Sequence, residues 1–309
     1  MMKRIINFCL CCILSLTLFG CKEQVSSTLS LKKDVNFNLL DALQITNETN
    51  NTVYYYFLAN IENHSKKDFL TNSIAYTITD EANTKLHSID SDQKMITQVI
   101  APNQSTFVYG YVGYPNNNQE NMGILFQKNK QFLPFSSVNI RKINDKNVHH
   151  SQDVKFSLYK DSSFTIDVDS SNLSYSFENG NSMVKGLKIT YENKTDQHLV
   201  VPYILPTASM QGIRISDFSN KGDFSKMDTE AVRKVNFESE GVSPSTSKVD
   251  AIVSGYECFY LPKKQKVECD IVFIFEGYVP DFKSKNKDSI EILLNSTSLG
   301  YSQSIQVNY

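Results

Sequence analysis

The sequence has no tryptophan, and its 309 residues include only 12 glycines and 8 prolines. It also lacks a strong charge of either sign, because 31 basic and 33 acidic side chains give a formal net charge of −2. Proteins that bind nucleic acids use a concentrated positive surface to neutralise phosphates, and no basic stretch of that kind is present. Nucleic acid is therefore not an expected partner.

Motifs of enzyme active sites are equally scarce. The chain has no Gly-x-Ser-x-Gly nucleophile elbow, no glycine-rich phosphate loop and no calcium loop of alternating acids. A metal site needs histidine, cysteine or carboxylate ligands at suitable spacing, and the histidines are instead interpreted as solvated residues of turns and of a linker: His64, His87, His149, His150 and His198. We expect no metal, no cofactor and no catalytic residue, so the chain is predicted not to be an enzyme.

Aromatic residues are abundant, with 19 phenylalanines and 16 tyrosines. Phe, Tyr and Thr favour strands, whereas Asn and Ser collect where a chain turns. Short segments such as Val35–Leu39 and Phe164–Val168 alternate apolar and polar residues, which places the apolar side chains on one face of a strand. Apolar residues do not recur at helical spacing over any long stretch, although Thr229–Val235 could form a short helical turn. The predicted fold class is all-β, built from antiparallel sheets.

The first residues have the three parts of an export signal. Lys3 and Arg4 supply positive charge, an apolar run extends from Ile5 to Phe19, and the small residue Gly20 precedes Cys21. The apolar run is about 15 residues long, whereas a helix that spans a membrane needs roughly 20. A removable signal is therefore favoured over a permanent transmembrane anchor.

The segment Leu18-Phe19-Gly20-Cys21 resembles the lipobox of bacterial lipoproteins. In that family the cysteine is lipidated and the signal is cleaved ahead of it, which makes residues 1–20 the signal peptide and Cys21 the lipidation site. The resemblance implies a membrane lipid as partner, because two or more acyl chains give a lasting anchor. An ordinary secretory signal with an incidental cysteine, or an uncleaved anchor, is the alternative.

The resemblance also implies a location in the cell envelope. In some bacteria with two membranes, Lys22 rather than aspartate after the lipidated cysteine fits sorting to the outer membrane, facing the periplasm or the exterior. Residues 21–33 are polar and contain no aromatic side chain, so they are predicted to be a flexible tether.

The remainder of the chain contains an internal repeat, which identifies duplicated domains. Five features occur twice in the same order: an alternating strand, a long strand with a polar turn, a proline turn before a strand, a Gly-Tyr-containing strand end, and a closing strand pair. The first copies lie at Asp34–Leu39, Val53–Asp68, Ile100–Val112, Gly113–Pro115 and Met122–Ile143, and the second at Asp153–Leu158, Val184–Asp196, Tyr260–Phe275, Gly277–Pro280 and Ile290–Tyr309.

Each copy has short strands separated by turns, which is the rhythm of an antiparallel sandwich. The order of strands and turns resembles the immunoglobulin-like modules of bacterial envelope lipoproteins, without the tryptophan and cysteine pair of antibody domains. The resemblance implies two tandem immunoglobulin-like β-sandwich domains, at residues 34–144 and 153–309, joined by a linker at 145–152. This architecture does not by itself carry a function.

Two cysteines, Cys258 and Cys269, remain in the mature chain besides Cys21. If Pro262–Gln265 forms a hairpin turn, the two lie directly opposite each other, at a Cβ separation of about 4.5–5.5 Å that suits a disulfide. An exported protein also meets conditions in which disulfides persist. A structural disulfide is one interpretation, and two thiols on neighbouring strands or on different faces are the other.

Two regions are candidates for recognition. The second copy is longer than the first, with the excess at about 206–255. Long loops often bind partners, and the alternative is that this one packs on its own domain. Tyrosines suit interfaces, and a second candidate is therefore the set Tyr54, Tyr55, Tyr56, Tyr109, Tyr111 and Tyr114. Alternation along the strands must turn part of this set into the core.

These observations favour a non-enzymatic, membrane-anchored lipoprotein that presents its β-sandwich domains to an envelope protein or glycan, or that contributes to envelope structure. A second hypothesis is a lipoprotein that binds a small molecule or an ion between the domains or beneath the 206–255 segment. A third is an envelope hydrolase with an unrecognised site.

Overall fold

A computed structural model describes the following residues: 28–32, 34–71, 74–82, 88, 90–92, 99–117, 119–127, 130–178, 181–210, 213–215, 218–222, 258–275 and 290–307. The elements in these ranges are β-strands and two short 3-10 turns, Phe135–Ser137 and Asp145–Asn147, without any α-helix. The predicted all-β fold with antiparallel sheets is confirmed. The lipidation site Cys21, the histidine His87 and the segment Thr229–Val235 lie outside the described residues.

The first half of the chain forms two sheets and a short ribbon. Its strands are β1 (Thr28–Lys32), β2 (Val35–Asn47), β3 (Thr52–Asn63), β4 (Phe69–Leu70), β5 (Tyr76–Asp80), β6 (Asp90–Asp92), β7 (Val99–Ile100), β8 (Gln104–Pro115), β9 (Met122–Phe126), β10 (Gln131–Pro134) and β11 (Arg141–Asn144). The large sheet has the order β1-β2-β3-β8-β6, with β11 running parallel to β2, and the small sheet has the order β10-β9-β5. Strands β4 and β7 pair with each other as the first ribbon.

The second half repeats this plan. Its strands are β12 (Lys155–Lys160), β13 (Phe164–Asp169), β14 (Ser174–Glu178), β15 (Asn181–Asn193), β16 (Leu199–Pro202), β17 (Leu205–Met210), β18 (Ile213–Ile215), β19 (Phe218–Gly222), β20 (Cys258–Leu261), β21 (Lys266–Phe275), β22 (Ile290–Ser296) and β23 (Tyr301–Val307). The large sheet has the order β12-β13-β15-β21-β19, and β14 also pairs with β15. The small sheet has the order β18-β17-β22-β23, and β16 pairs with β20 as the second ribbon.

A buried asparagine marks equivalent positions in the two halves. The side-chain amide of Asn63 donates to the carbonyls of Lys67 and Ile100, at 2.8 and 2.7 Å. The amide of Asn193 donates to the carbonyls of Gln197 and Leu261, at 2.8 and 3.2 Å. Each asparagine therefore ties the turn after a long strand to the ribbon, and counting from it sets the correspondence between the halves.

This correspondence corrects the first feature of the predicted repeat. Val35 lies opposite Asn63 on the neighbouring strand, and Phe164 lies opposite Asn193. The counterpart of the alternating strand at Val35 is therefore β13, which begins at Phe164, and not the segment Asp153–Leu158. That segment contributes to β12, which occupies the edge position that β1 occupies in the first half.

Two hydrophobic clusters account for the packing of the residues that the structure describes. One lies inside the first half, between its large and small sheets, and contains Val35, Phe37, Phe57, Ile124 and Phe126 among its buried members. The other begins on the opposite face of the first large sheet and continues through the second ribbon into the interior of the second half. The two halves therefore share one continuous core, because this cluster contains buried residues of both halves and a cluster consists of side chains in contact.

The predicted tether, linker and insertion also contain ordered structure. Thr28–Lys32, assigned to the tether, pairs with β2, and Leu205–Met210, most of which was assigned to the 206–255 insertion, pairs with β22 in the small sheet. In the linker, the amide of His149 donates to the carbonyl of Leu158 at 2.8 Å, and Ser151 accepts a hydrogen bond of 2.6 Å from Gln303. The linker is thus held against the second half.

Candidate functional site

The outer face of the first large sheet is buried against the second half. Tyr54, Tyr56 and Leu58 on β3 and Tyr109 and Tyr111 on β8 point to this face, and all five belong to the cluster that the halves share. The remaining members of the predicted tyrosine surface, Tyr55 and Tyr114, lie in the core of the first half. Four of the six tyrosines thus form an interface inside the molecule, the other two are core as the alternation predicted, and the hypothesis that the set presents an open surface is wrong.

A buried ion pair fixes the second ribbon to this face. Arg141 on β11 donates to Asp41 on β2, through Nε at 3.0 Å and Nη2 at 2.5 Å. Asp41 Oδ2 accepts the backbone N–H of Val200 at 2.8 Å, and Arg141 Nη2 donates to the carbonyl of the same residue at 2.5 Å. The two side chains therefore satisfy both backbone groups of one ribbon residue, as a neighbouring strand would.

A bulge in β2 explains why Asp41 faces outward. The pairing of β2 with β3 shifts register between Leu39 and Asp41, so that Leu40 is inserted and the alternation of side chains is reset. A lone acid in an apolar strand is a signal that sequence reasoning could have used, since a buried carboxylate must find a partner. Its partner, Arg141, is 100 residues away along the chain, and no local pattern identifies it.

An aromatic group completes the contact between the halves. The ring of Tyr260 on β20 stacks on Phe107 of β8, with centroids 4.7 Å apart. The Nδ1 atom of His198 lies 2.7 Å from the hydroxyl of Tyr260, and its ring is 5.3 Å from that of Phe107. His198 lies in the turn before β16, as predicted, but its ring is partly buried in this packed group and is not a freely solvated side chain. His64 is about half exposed, as predicted.

The equivalent outer face of the second large sheet has a different character. Cross-strand pairing arranges its side chains in two charged or hydroxyl-bearing rows, one of Ser157, Asp167, Thr190 and Glu268 and one of Lys155, Asp169, Lys188 and Asp270. A groove of about 470 Å³ runs over this face. It is lined by the residues of both rows except Asp270, and also by Phe156, Val168 and Lys266. We refer to this surface as the charged face.

Ion pairs and hydrogen bonds link neighbouring strands across the charged face. Lys188 Nζ lies 3.6 Å from both Glu268 and Asp270, and Lys266 Nζ lies 2.9 Å from Glu268. The hydrogen bond from Lys266 lowers the pKa of Glu268 and raises that of Lys266, so both groups are held in their charged forms. The face offers ammonium donors, carboxylate acceptors and hydroxyl groups side by side, which suits recognition of a polar surface.

The two cysteines occupy different sheets. Cys258 on β20 lies opposite Pro202, and Cys269 on β21 lies opposite Ile189. The prediction that they face each other across a hairpin is wrong, because the turn at Pro262–Gln265 leads from the ribbon into the large sheet. Both side chains are buried as thiols, and no disulfide joins them in this structure.

The other sequence-predicted residues do not converge on a site. His149 and His150 are exposed, and the ring of His150 stacks on Tyr301 with centroids 5.1 Å apart. Within the described part of the chain, no group of three histidine, cysteine, aspartate or glutamate side chains could hold a metal ion. Within the same residues, no helix combines the length and the apolar character needed to cross a bilayer.

Comparison with known proteins gives no assignment. No protein-family model matches the chain, and no curated protein is similar to it.

Proposed function

We propose that this chain is an exported, non-enzymatic lipoprotein of the cell envelope, anchored through Cys21, that uses its fused β-sandwiches as one rigid body to bind an envelope protein or glycan. The observation that carries the binding role is the contrast between the two outer sheet faces. One is apolar and buried within the molecule, and the other is charged and open.

The fused body supports this proposal. A shared core and the ion pair around Val200 fix the relative orientation of the halves, so the charged face has a defined direction relative to the N-terminal strands. A rigid scaffold limits the conformational entropy lost when a partner binds. The immunoglobulin-like character of the sandwiches remains part of the proposal, supported by the strand rhythm and the paired sheets of each half.

The N-terminal sequence supports the anchor. The charged start, the apolar run and the Leu-Phe-Gly-Cys segment are the features that lipoprotein signals share. Growth with a labelled fatty acid tests this part: we expect label in the full chain and none in a Cys21→Ala variant, in which cleavage ahead of position 21 should also fail. Label that persists in the variant would overturn the anchor at Cys21.

Site-specific photo-crosslinking in cells tests the binding part. We expect a crosslinker at Asp270, which is exposed on the charged face, to capture a discrete envelope component. Lys263, an exposed residue of the turn before β21, is the matched control position. Equal products from both positions, or none from Asp270 while fatty-acid labelling succeeds, would count against a binding role for the charged face.

A further inference from the structure

The two ribbons occupy equivalent positions but differ in exposure. In the second ribbon Val200 pairs with Tyr260, and these residues are 0% and 4% exposed because they pack on the first large sheet. In the first ribbon the corresponding pair is Leu70 and Val99, which are 47% and 51% exposed. The correspondence follows from the buried asparagines, since Asn63 and Asn193 lie six residues before Phe69 and Leu199.

From this contrast we infer that the Leu70–Val99 pair is a docking element for a partner that carries an apolar, aromatic β-sheet face of the kind found on the first large sheet. The interface inside this molecule supplies the precedent for both chemistry and geometry. There, an apolar ribbon pair seats against tyrosine, phenylalanine and leucine side chains of a neighbouring sandwich. The inference concerns a surface other than the charged face and does not depend on the lipid anchor.

Within the described residues, a second copy of this chain offers no such surface. Of its two large sheets the first is already covered, so only the outer face of the second remains. Register pairing places Lys188, Glu268 and Asp270 there, at the positions that Leu58, Phe107 and Tyr109 occupy in the first half. An apolar pair seated on that face would strip water from charges without replacing their hydration, which is costly.

The charged face therefore prevents copies of this chain from binding one another head to tail through the first ribbon. A contact between two different surfaces of identical molecules builds rings or open filaments unless one surface is blocked, and terminal repeats of stacked proteins carry a polar outer face that keeps them soluble. The wild-type protein is accordingly expected not to assemble through the first ribbon, whereas a different protein with an apolar sheet face would bind there.

The inference can be tested by building the missing face on this chain. The face variant carries Lys188→Leu, Glu268→Phe and Asp270→Tyr, together with Leu70→Ser and Val99→Ser so that it cannot associate with itself through the ribbon. Wild-type protein serves as the ribbon donor. We expect a one-to-one complex in light scattering after gel filtration at protein concentrations up to roughly 0.1 mM.

Two donor variants separate ribbon docking from general stickiness. A donor with Leu70→Ser and Val99→Ser should form no complex, whereas a donor with Val154→Ser and Leu293→Ser, which loses exposed apolar side chains elsewhere, should bind as wild type does. A folded face variant that does not bind wild type, or that binds both donor variants equally, would overturn the inference. Concentration-dependent oligomers of the wild type that Leu70→Ser abolishes would also overturn it.

Discussion

The ring of Tyr54 lies directly over Gly113, its partner on the neighbouring strand. A Cβ atom at position 113 would come within 2.6 Å of Tyr54 Cε1, closer than real contacts allow. Tyr54 belongs to the core shared by the two halves. Because Gly113 has no side chain, the ring has room to lie over it and pack in this shared core.

Replacing Gly113 with alanine should therefore destabilise the protein, by about 1–3 kcal/mol in the free energy of unfolding, because an added methyl group in a packed core forces side chains to move. Urea denaturation measures this cost. In a Tyr54→Leu background the same substitution should cost much less, since the clashing ring is gone. Equal costs in both backgrounds would mean that the ring is not the group that Gly113 accommodates.

The asparagine at the end of each long strand gives a second prediction. The Asn193 amide donates to three carbonyls, those of Gln197, Leu261 and Pro262. Asn193→Asp keeps the shape but turns a carboxylate toward these oxygens, so we expect a loss of at least about 3 kcal/mol at neutral pH. Asn63→Asp should behave alike, and the exposed residue Asn147 provides the control substitution to aspartate. Similar losses at all three positions in urea denaturation would contradict this reasoning.

The ion pair beneath the second ribbon gives a third prediction. Asp41→Leu leaves the guanidinium of Arg141 buried without its counter-ion, at a cost of about 3–5 kcal/mol. The double variant with Arg141→Met removes the orphaned charge and should be more stable than Asp41→Leu alone. A double-mutant cycle in urea measures the coupling, and additive effects would show that the two side chains do not act as a pair.

The thiols give a fourth prediction. Cys258 and Cys269 are both buried in separate sheets, so neither should react with a thiol reagent in the native protein. After denaturation without reductant, protein produced from residue 22 onward, which lacks Cys9, Cys11, Cys12 and Cys21, should release both thiols. Release of none would show that the disulfide forms after all, and rapid reaction in the native state would contradict the packing around β20 and β21.

The fold class could be predicted from the sequence because alternation of apolar and polar residues is local. The pairing of strands could not, since Val35–Leu39, Asp153–Leu158 and Phe164–Val168 carry similar patterns and only the distant Asn193 selects the correct counterpart. The cysteine prediction failed for a related reason. Counting outward from the turn at Pro262–Gln265 assumes that its flanking strands pair, whereas in a sandwich such a turn can lead from one sheet to another.

The charged face and the contact between the halves also differ in how far the sequence predicts them. The charged face can be anticipated once the register of β13, β15 and β21 is known, because alternate residues are polar along Thr165–Asp169, Lys188–Glu192 and Lys266–Asp270. The contact between the halves depends on the ion pair of Asp41 and Arg141. This pair forms because β2 has a bulge and β11 runs parallel to β2, and no local sequence pattern predicts either feature.

Asp169 on the charged face connects the stability of this surface to pH. It accepts hydrogen bonds from the backbone and hydroxyl of Ser171, at 2.9 and 2.6 Å, and lies 3.0 Å from Lys155 Nζ. Burial raises the pKa of Asp169, but the hydrogen bonds from Ser171 and Lys155 outweigh it and lower the pKa from 3.8 to about 2. Folding therefore favours the carboxylate over the protonated acid.

A carboxyl group whose pKa is depressed by folding contributes stability that is complete above its unfolded value and is lost as the pH falls through its folded value. For Asp169 this window extends from about pH 4 down to about pH 2. The free energy of unfolding of Asp169→Asn should thus lie below that of the wild type near neutral pH and approach it toward pH 2, as urea titrations at several pH values would show. Lys155→Met should raise the titration midpoint of the Asp169 carboxyl, followed by NMR, because it removes a cation that favours the charged form. An Asp169 midpoint near 3.8 in the wild type, or parallel pH profiles for wild type and Asp169→Asn, would show that this carboxylate does not couple folding to pH.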